Sequence, residues 1–169
     1  MDKPFFRLAH FSDPHFTCYP SSLKEWCTKR FWGVLNFIFT RKRDHDVQLI
    51  DALLPLLRTY KVDALVITGD LTSYSLHAEF KKATQLYKKL ATFPFPSFII
   101  PGNHDCYTKK AEQEHLFYQY FPYCLPSAHP SFSLAKDRIA FGSFSQALWW
   151  IALDTAVSTP CFEIGRAHV

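Results

Sequence analysis

The stretch Ile99-Ile100-Pro101-Gly102-Asn103-His104-Asp105 decides how this chain is read. Phe98 to Ile100 is a short apolar run, predicted to be a buried strand. Pro101-Gly102 stops it, and three side chains capable of metal or proton chemistry follow at once. Two earlier segments share this pattern. Leu8-Ala9-His10-Phe11 is predicted to be a strand, and it is followed by Ser12-Asp13-Pro14-His15, which brings a carboxylate and an imidazole. Ala64-Leu65-Val66-Ile67-Thr68 is followed by Gly69-Asp70. Three strands ending in potential ligands imply one site at the rim of one sheet, where α/β sheets bind their ligands.

The bulk numbers bound the answer. A chain of 169 residues with 48% hydrophobic residues makes one domain with a sizeable core and excludes disorder. A formal charge of +4 permits anionic partners without requiring nucleic acid. Five cysteines show no CxxC spacing, and no apolar leader precedes Phe5, so reduced thiols and a cytoplasmic location are expected. No apolar run approaches the roughly 20 residues of a spanning helix.

Phe5–Phe11 is predicted as the first strand, closed by Pro14. Lys24 to Arg43 reads as an aromatic, basic insert. Cys27, Phe31, Val34, Leu35 and Ile38 fall on one helical stripe, with Trp26, Arg30, Trp32, Arg41, Lys42 and Arg43 around it. Two readings stand: a helix lying on an anionic membrane surface, contacted by those aromatic and basic residues, or a core helix with solvated ends. Asp44–Tyr60 is predicted helical, kinked or split by Pro55. Val62–Thr68 is the second strand, Leu76–Leu90 a helix, and Lys109–Tyr120 another. Phe132–Leu134, Ile139–Phe144 and Leu148–Leu153 read as strands, the last two as a hairpin-like return into a second sheet. The alternation of strand and helix gives an α/β fold.

The strand ends carry the chemistry. Asp13 and His15 pair a hard oxygen with an imidazole nitrogen, Asp70 adds a carboxylate, and Asn103 an amide oxygen. Such mixed ligands suit manganese, iron or zinc. Two divalent ions side by side can clamp a phosphate and acidify a water for in-line attack. His104, beside a ligand, could donate a proton to the leaving oxygen or hold the phosphate, and Asp105 is read as supporting the ligands from behind.

Ser12-Asp13-Pro14-His15, Thr68-Gly69-Asp70-Leu71-Thr72 and Pro101-Gly102-Asn103-His104-Asp105 resemble the first three signature blocks of the calcineurin-like metallophosphoesterase superfamily. The resemblance implies a sandwich of two mixed sheets flanked by helices. It implies that Asp13 and His15 hold one divalent ion, Asp70 bridges, Asn103 holds the second, and His104 is the catalytic imidazole. The Gly69-Asp70-Leu71-Thr72 block departs from the protein-phosphatase pattern Gly-Asp-x-Val-Asp-Arg-Gly. It is similar to a bacterial branch that includes cyclic-nucleotide phosphodiesterases and UDP-diacylglucosamine pyrophosphatases of lipid A synthesis. The implied substrate is a phosphorylated small molecule or a nucleotide lipid, turned over peripherally at the inner membrane face. Nucleic acid is disfavoured, because no basic groove shows beyond the insert. A non-catalytic membrane-associated module is the other class.

The superfamily's later histidine and its Gly-His-x-His block have no counterpart here. His115, predicted on a solvated helix face, and His129, in a loop, sit in the wrong settings. Glu163-Ile164-Gly165-Arg166-Ala167-His168-Val169 can be encoded by GAG ATC GGA AGA GCA CAC GTC, the start of a common sequencing adapter. The expectation is a partial domain over residues 1–162, a translated adapter over 163–169, and little activity in the fragment.

Overall fold

The structure, a computed structural model, describes residues 5–36, 48–125, 129–146 and 148–159, without the side chains of 48–51. Its elements in chain order are β1 (Leu8–Phe11), α1 (Leu23–Trp26), α2 (Arg30–Asn36), α3 (Gln48–Thr59), β2 (Ala64–Thr68), α4 (His77–Leu90), β3 (Ser97–Ile100), α5 (Lys109–Gln113), α6 (Leu116–Tyr120), α7 (Leu134–Asp137), β4 (Ile139–Ser143) and β5 (Trp149–Leu153).

β1, β2 and β3 form a parallel sheet in that order, with Leu8 opposite Ala64 and Leu65 opposite Ser97. β4 and β5 form an antiparallel pair with Phe141 opposite Ile151. The fold is therefore α/β with two sheets, each of one kind among the described residues. β2 is buried along most of its length, as a central strand covered on both faces must be. One face of the sheet packs on α4 and α6 through Leu65, Ile67, Ile99, Phe80, Leu86 and Phe117. Beyond β3, the Phe98 ring meets Phe144 at 4.8 Å and Trp150 at 5.2 Å, joining the sheets.

Several elements differ from the sequence reading. The insert is not one helix over its described part. Ser22 and Glu25 form a capping box that starts α1, and the chain turns at Cys27–Lys29 before α2 begins. The break resets the helical phase. Val34 is buried, whereas Cys27, Phe31 and Trp32 are exposed and Trp26 is half-buried. Residues 37–47, with Arg41, Lys42 and Arg43, lie outside the described residues, as do 160–169.

Pro55 sits inside α3 without splitting it, because Leu57 anchors the helix on the core. Lys109–Tyr120 is two helices, since His115 adopts a left-handed φ of 49° between them. The side-chain amide of Gln119 then donates to the Glu114 carbonyl left at the break. Phe132–Leu134 is not a strand. Asp137 accepts from the Ser133 amide, Leu134 is buried in the short helix α7, and Arg138 turns left-handed into β4. Among the described residues no helix is long and apolar enough to cross a membrane.

Candidate metal centre and active site

Pairing between the first two strands outlasts the strands themselves. Past β1, the Asp13 amide donates to Gly69 O, the His15 amide to Asp70 O and the Phe16 amide to Leu71 O. This irregular ladder sets the β1 exit beside the β2 exit, residue for residue. Asp13, His15 and Asp70 each adopt a left-handed backbone, with φ of 57°, 43° and 51°. Such strain is tolerated only where the surroundings over-determine it, and it clusters at functional sites. Asp and His accept this region more readily than most residues.

The result is convergence. One ligand atom from each of Asp13, His15 and Asp70 lies within 4.8 Å of the others. His15 Nε2 is 3.7 Å from Asp13 Oδ1 and 3.9 Å from Asp70 Oδ2. Asn103 lines the same hollow of about 250 Å³ as Asp13 and Asp70. Burial raises the Asp70 carboxyl above its ordinary range; the His104 ring and amide oppose this, and Asp13 adds to it. Two carboxylates turned toward each other beside an imidazole are a costly arrangement in isolation. A divalent cation would offset that cost, and the donor set fits one.

Two glycines permit the close approach. Gly69 has φ of 78°, and a Cβ there would lie 2.8 Å from the Gly102 α-carbon. A Cβ on Gly102 would strike Asp70.

Asp105 is fully buried behind the ligands. It accepts from the Leu71, Thr72 and Gly102 amides at 2.9–3.1 Å and from the Thr72 hydroxyl at 3.0 Å. These bonds tie the loop after β3 to the loop after β2. Burial pushes the Asp105 carboxyl up to about 7, against the pull of the Gly102 amide and with Asp70 adding to the rise.

His104 is held at three points. Its amide donates to Asp70 Oδ1 at 2.9 Å, and its Nδ1 donates to Ser73 O at 2.8 Å. Its ring meets His15 edge-on, with centroids 4.8 Å apart. Donation from Nδ1 fixes the neutral tautomer in which Nε2 is the accepting nitrogen.

Not every expected site residue gathers here. Arg30 turns inward: its Nε donates to Tyr74 O and its Nη2 to Ser75 O, both at 2.8 Å. Arg30 was expected as a membrane or substrate contact; in the fold its guanidinium serves the loop after β2. Trp26 packs against the small cluster of Val34, Tyr74 and Leu76, while Trp32 is exposed. His129 stacks on Phe141 at 5.0 Å and His115 is exposed. The sequence reading missed the wall built by Leu153 at the end of β5 and by Thr155 and Ala156 after it, which lines the hollow. No motif marks that wall; only the hairpin brings it there.

The sequence profile described as calcineurin-like phosphoesterase matches residues 6–149, which takes in all three strand ends. The chain belongs to the calcineurin-like phosphoesterase family. This family comprises metal-dependent phosphoester hydrolases, typically with a dinuclear centre, and Asp13, His15 and Asp70 form a candidate group for such a metal. No curated protein matches the chain.

Proposed function

We propose that this calcineurin-like phosphoesterase cleaves phosphodiester or pyrophosphate bonds, with Asp13, His15, Asp70 and Asn103 holding two divalent cations, manganese, iron or zinc. The observation that carries the reading is the gathering of Asp13, His15 and Asp70 within 4.8 Å, each on a left-handed backbone. Bound ions there supply a polarised phosphoryl oxygen and an acidified water. His104 supplies the proton. Its Nδ1 is committed to Ser73 O, so when the accepting Nε2 takes up a proton the ring becomes imidazolium, and that proton goes to the leaving oxygen as the ester bond breaks. Asp105 keeps both loops at a fixed separation while charge moves between them.

The finer reading is a nucleotide-lipid substrate of the UDP-diacylglucosamine type, met at an anionic membrane surface. Its support is the sequence resemblance together with the exposed Phe31 and Trp32 on the insert and Leu23 just before it. The test is turnover by the protein expressed to its gene's own stop codon, with Mn²⁺ added. Hydrolysis of bis(p-nitrophenyl) phosphate, and faster hydrolysis of an acylated than of a non-acylated nucleotide pyrophosphate, is expected. Binding no divalent ion and cleaving no aryl diester would instead support a non-catalytic module.

A further inference from the structure

The segment before α3 and the histidine at the centre of the site are joined by two routes. The first runs through Tyr107. Its ring stacks on His104, with centroids 5.5 Å apart and planes 27° from parallel. Lys29, between α1 and α2, places its Nζ 4.4 Å from the centre of that same ring. Gly33 on α2 makes room for it, since a Cβ there would lie 2.5 Å from the Tyr107 hydroxyl and 2.9 Å from the Tyr74 ring. The second route runs through Arg30, which grips the carbonyls of Tyr74 and Ser75. The preceding carbonyl, Ser73 O, accepts the His104 Nδ1 bond.

We propose that α1–α2 is a positioning brace for His104, and that Tyr107 is the positioning residue through which it acts. This rests on the reading of His104 as the proton donor. A side chain on a loop keeps a productive orientation only when its rotamer is locked by packing and hydrogen bonds around it. His104 has a hydrogen bond at Nδ1 and an edge contact with His15, and these leave the ring free to rock on its flat side. The Tyr107 ring closes that freedom on the flat side of the imidazole. Lys29 and the notch at Gly33 hold Tyr107 in turn, so a shift of α2 re-aims His104 without touching a ligand.

Histidine-selective carbon-13 NMR of the metal-free chain tests this, with the His104 Cε1–Hε1 signal assigned by loss in H104Q. Stacking on Tyr107 displaces that signal by ring current. Y107F keeps the ring and is expected to keep the displaced position. Y107L is expected to lose it, and K29M and G33A to move it part of the way. An unmoved signal in both K29M and G33A, with circular dichroism showing each folded, overturns the brace even where Y107L fails to fold. A second arm measures turnover of bis(p-nitrophenyl) phosphate by the protein expressed to its native stop codon. G33A and Y107L are expected to lower kcat about tenfold or more with little change in KM, and Y107F to restore it. A wild-type protein that turns nothing over removes the hydrolase reading; the NMR arm then still decides the brace. A fall in KM alone, with kcat kept, contradicts it.

Discussion

Gly102 stands so close to Asp70 that a Cβ on it would lie 2.2 Å from Asp70 Oδ1 and 2.3 Å from the Asp70 amide. Asp70 itself is the shared member of the proposed ligand set, on a left-handed backbone after β2. A methyl group in that gap forces the carboxylate or the β3 exit to move. G102A is therefore expected to weaken Mn²⁺ binding by about tenfold or more, the range seen when the support of a ligand is disturbed. Calorimetric titration checks it; unchanged affinity would show that the contact is relieved elsewhere.

Asp105 makes a further link between the two strand exits, and two of its donors have no water to turn to. Thr72 and Leu71 are buried along with it. D105A leaves their amides unpaired, at an expected cost of about 3 kcal/mol. Urea unfolding measures this. A loss below about 1 kcal/mol would mean that the loops relax to find new acceptors.

Glu79 gives the fold a pH dependence away from the ligands. It is fully buried at the start of α4, accepts from the Cys18, Tyr74 and Leu76 amides, and lies near Arg30. Burial pushes its carboxyl from 4.5 up to about 7, against those three amides and Arg30. The folded chain thus holds a proton that the unfolded chain releases between these values. Stability is full below about 4.5 and falls as pH rises through about 7, by about 3 kcal/mol in total. E79Q costs about 1 kcal/mol or more at pH 5, because its amide faces a backbone N–H. It is nevertheless expected to flatten the slope. Asp105 titrates in the same window in both proteins, so the difference in slope isolates Glu79. Equal slopes would contradict the assignment.

Trp32 and Phe31 point outward on α2, with exposures of 55% and 41%. W32A is expected to change folding stability by less than about 0.5 kcal/mol. On the membrane reading it also weakens sedimentation with phosphatidylglycerol vesicles. A variant that sediments like wild type removes Trp32 from that surface.

The parallel sheet was legible because apolar runs such as Ala64–Thr68 carry their own pattern, and each ended in residues that no core would keep. The placement of Asp13, His15 and Asp70 followed from those endings. What escaped the sequence depends on chain reversals. The break at Cys27–Lys29 is set by a cap at Ser22 and an inward Arg30, so a single helical wheel drawn through it mixed two faces. The left-handed turn at His115 split a helix for which the periodicity offered no stop signal. Phe132–Leu134 looked like a strand by composition, yet Asp137 closed it into a helical turn through a bond of its own. The wall of Leu153, Thr155 and Ala156 is tertiary in origin, and no local signal foretells it.

Everything proposed for the site depends on Asp13, His15, Asp70 and Asn103 being cation ligands. Titration of Mn²⁺ into the metal-stripped protein, followed by calorimetry and by the loss of the free-ion electron paramagnetic resonance signal, asks this directly. The wild-type protein is expected to bind, and D70N to lose at least about tenfold in affinity while remaining folded. Equal binding by the wild type and D70N, or none by either, would contradict the account.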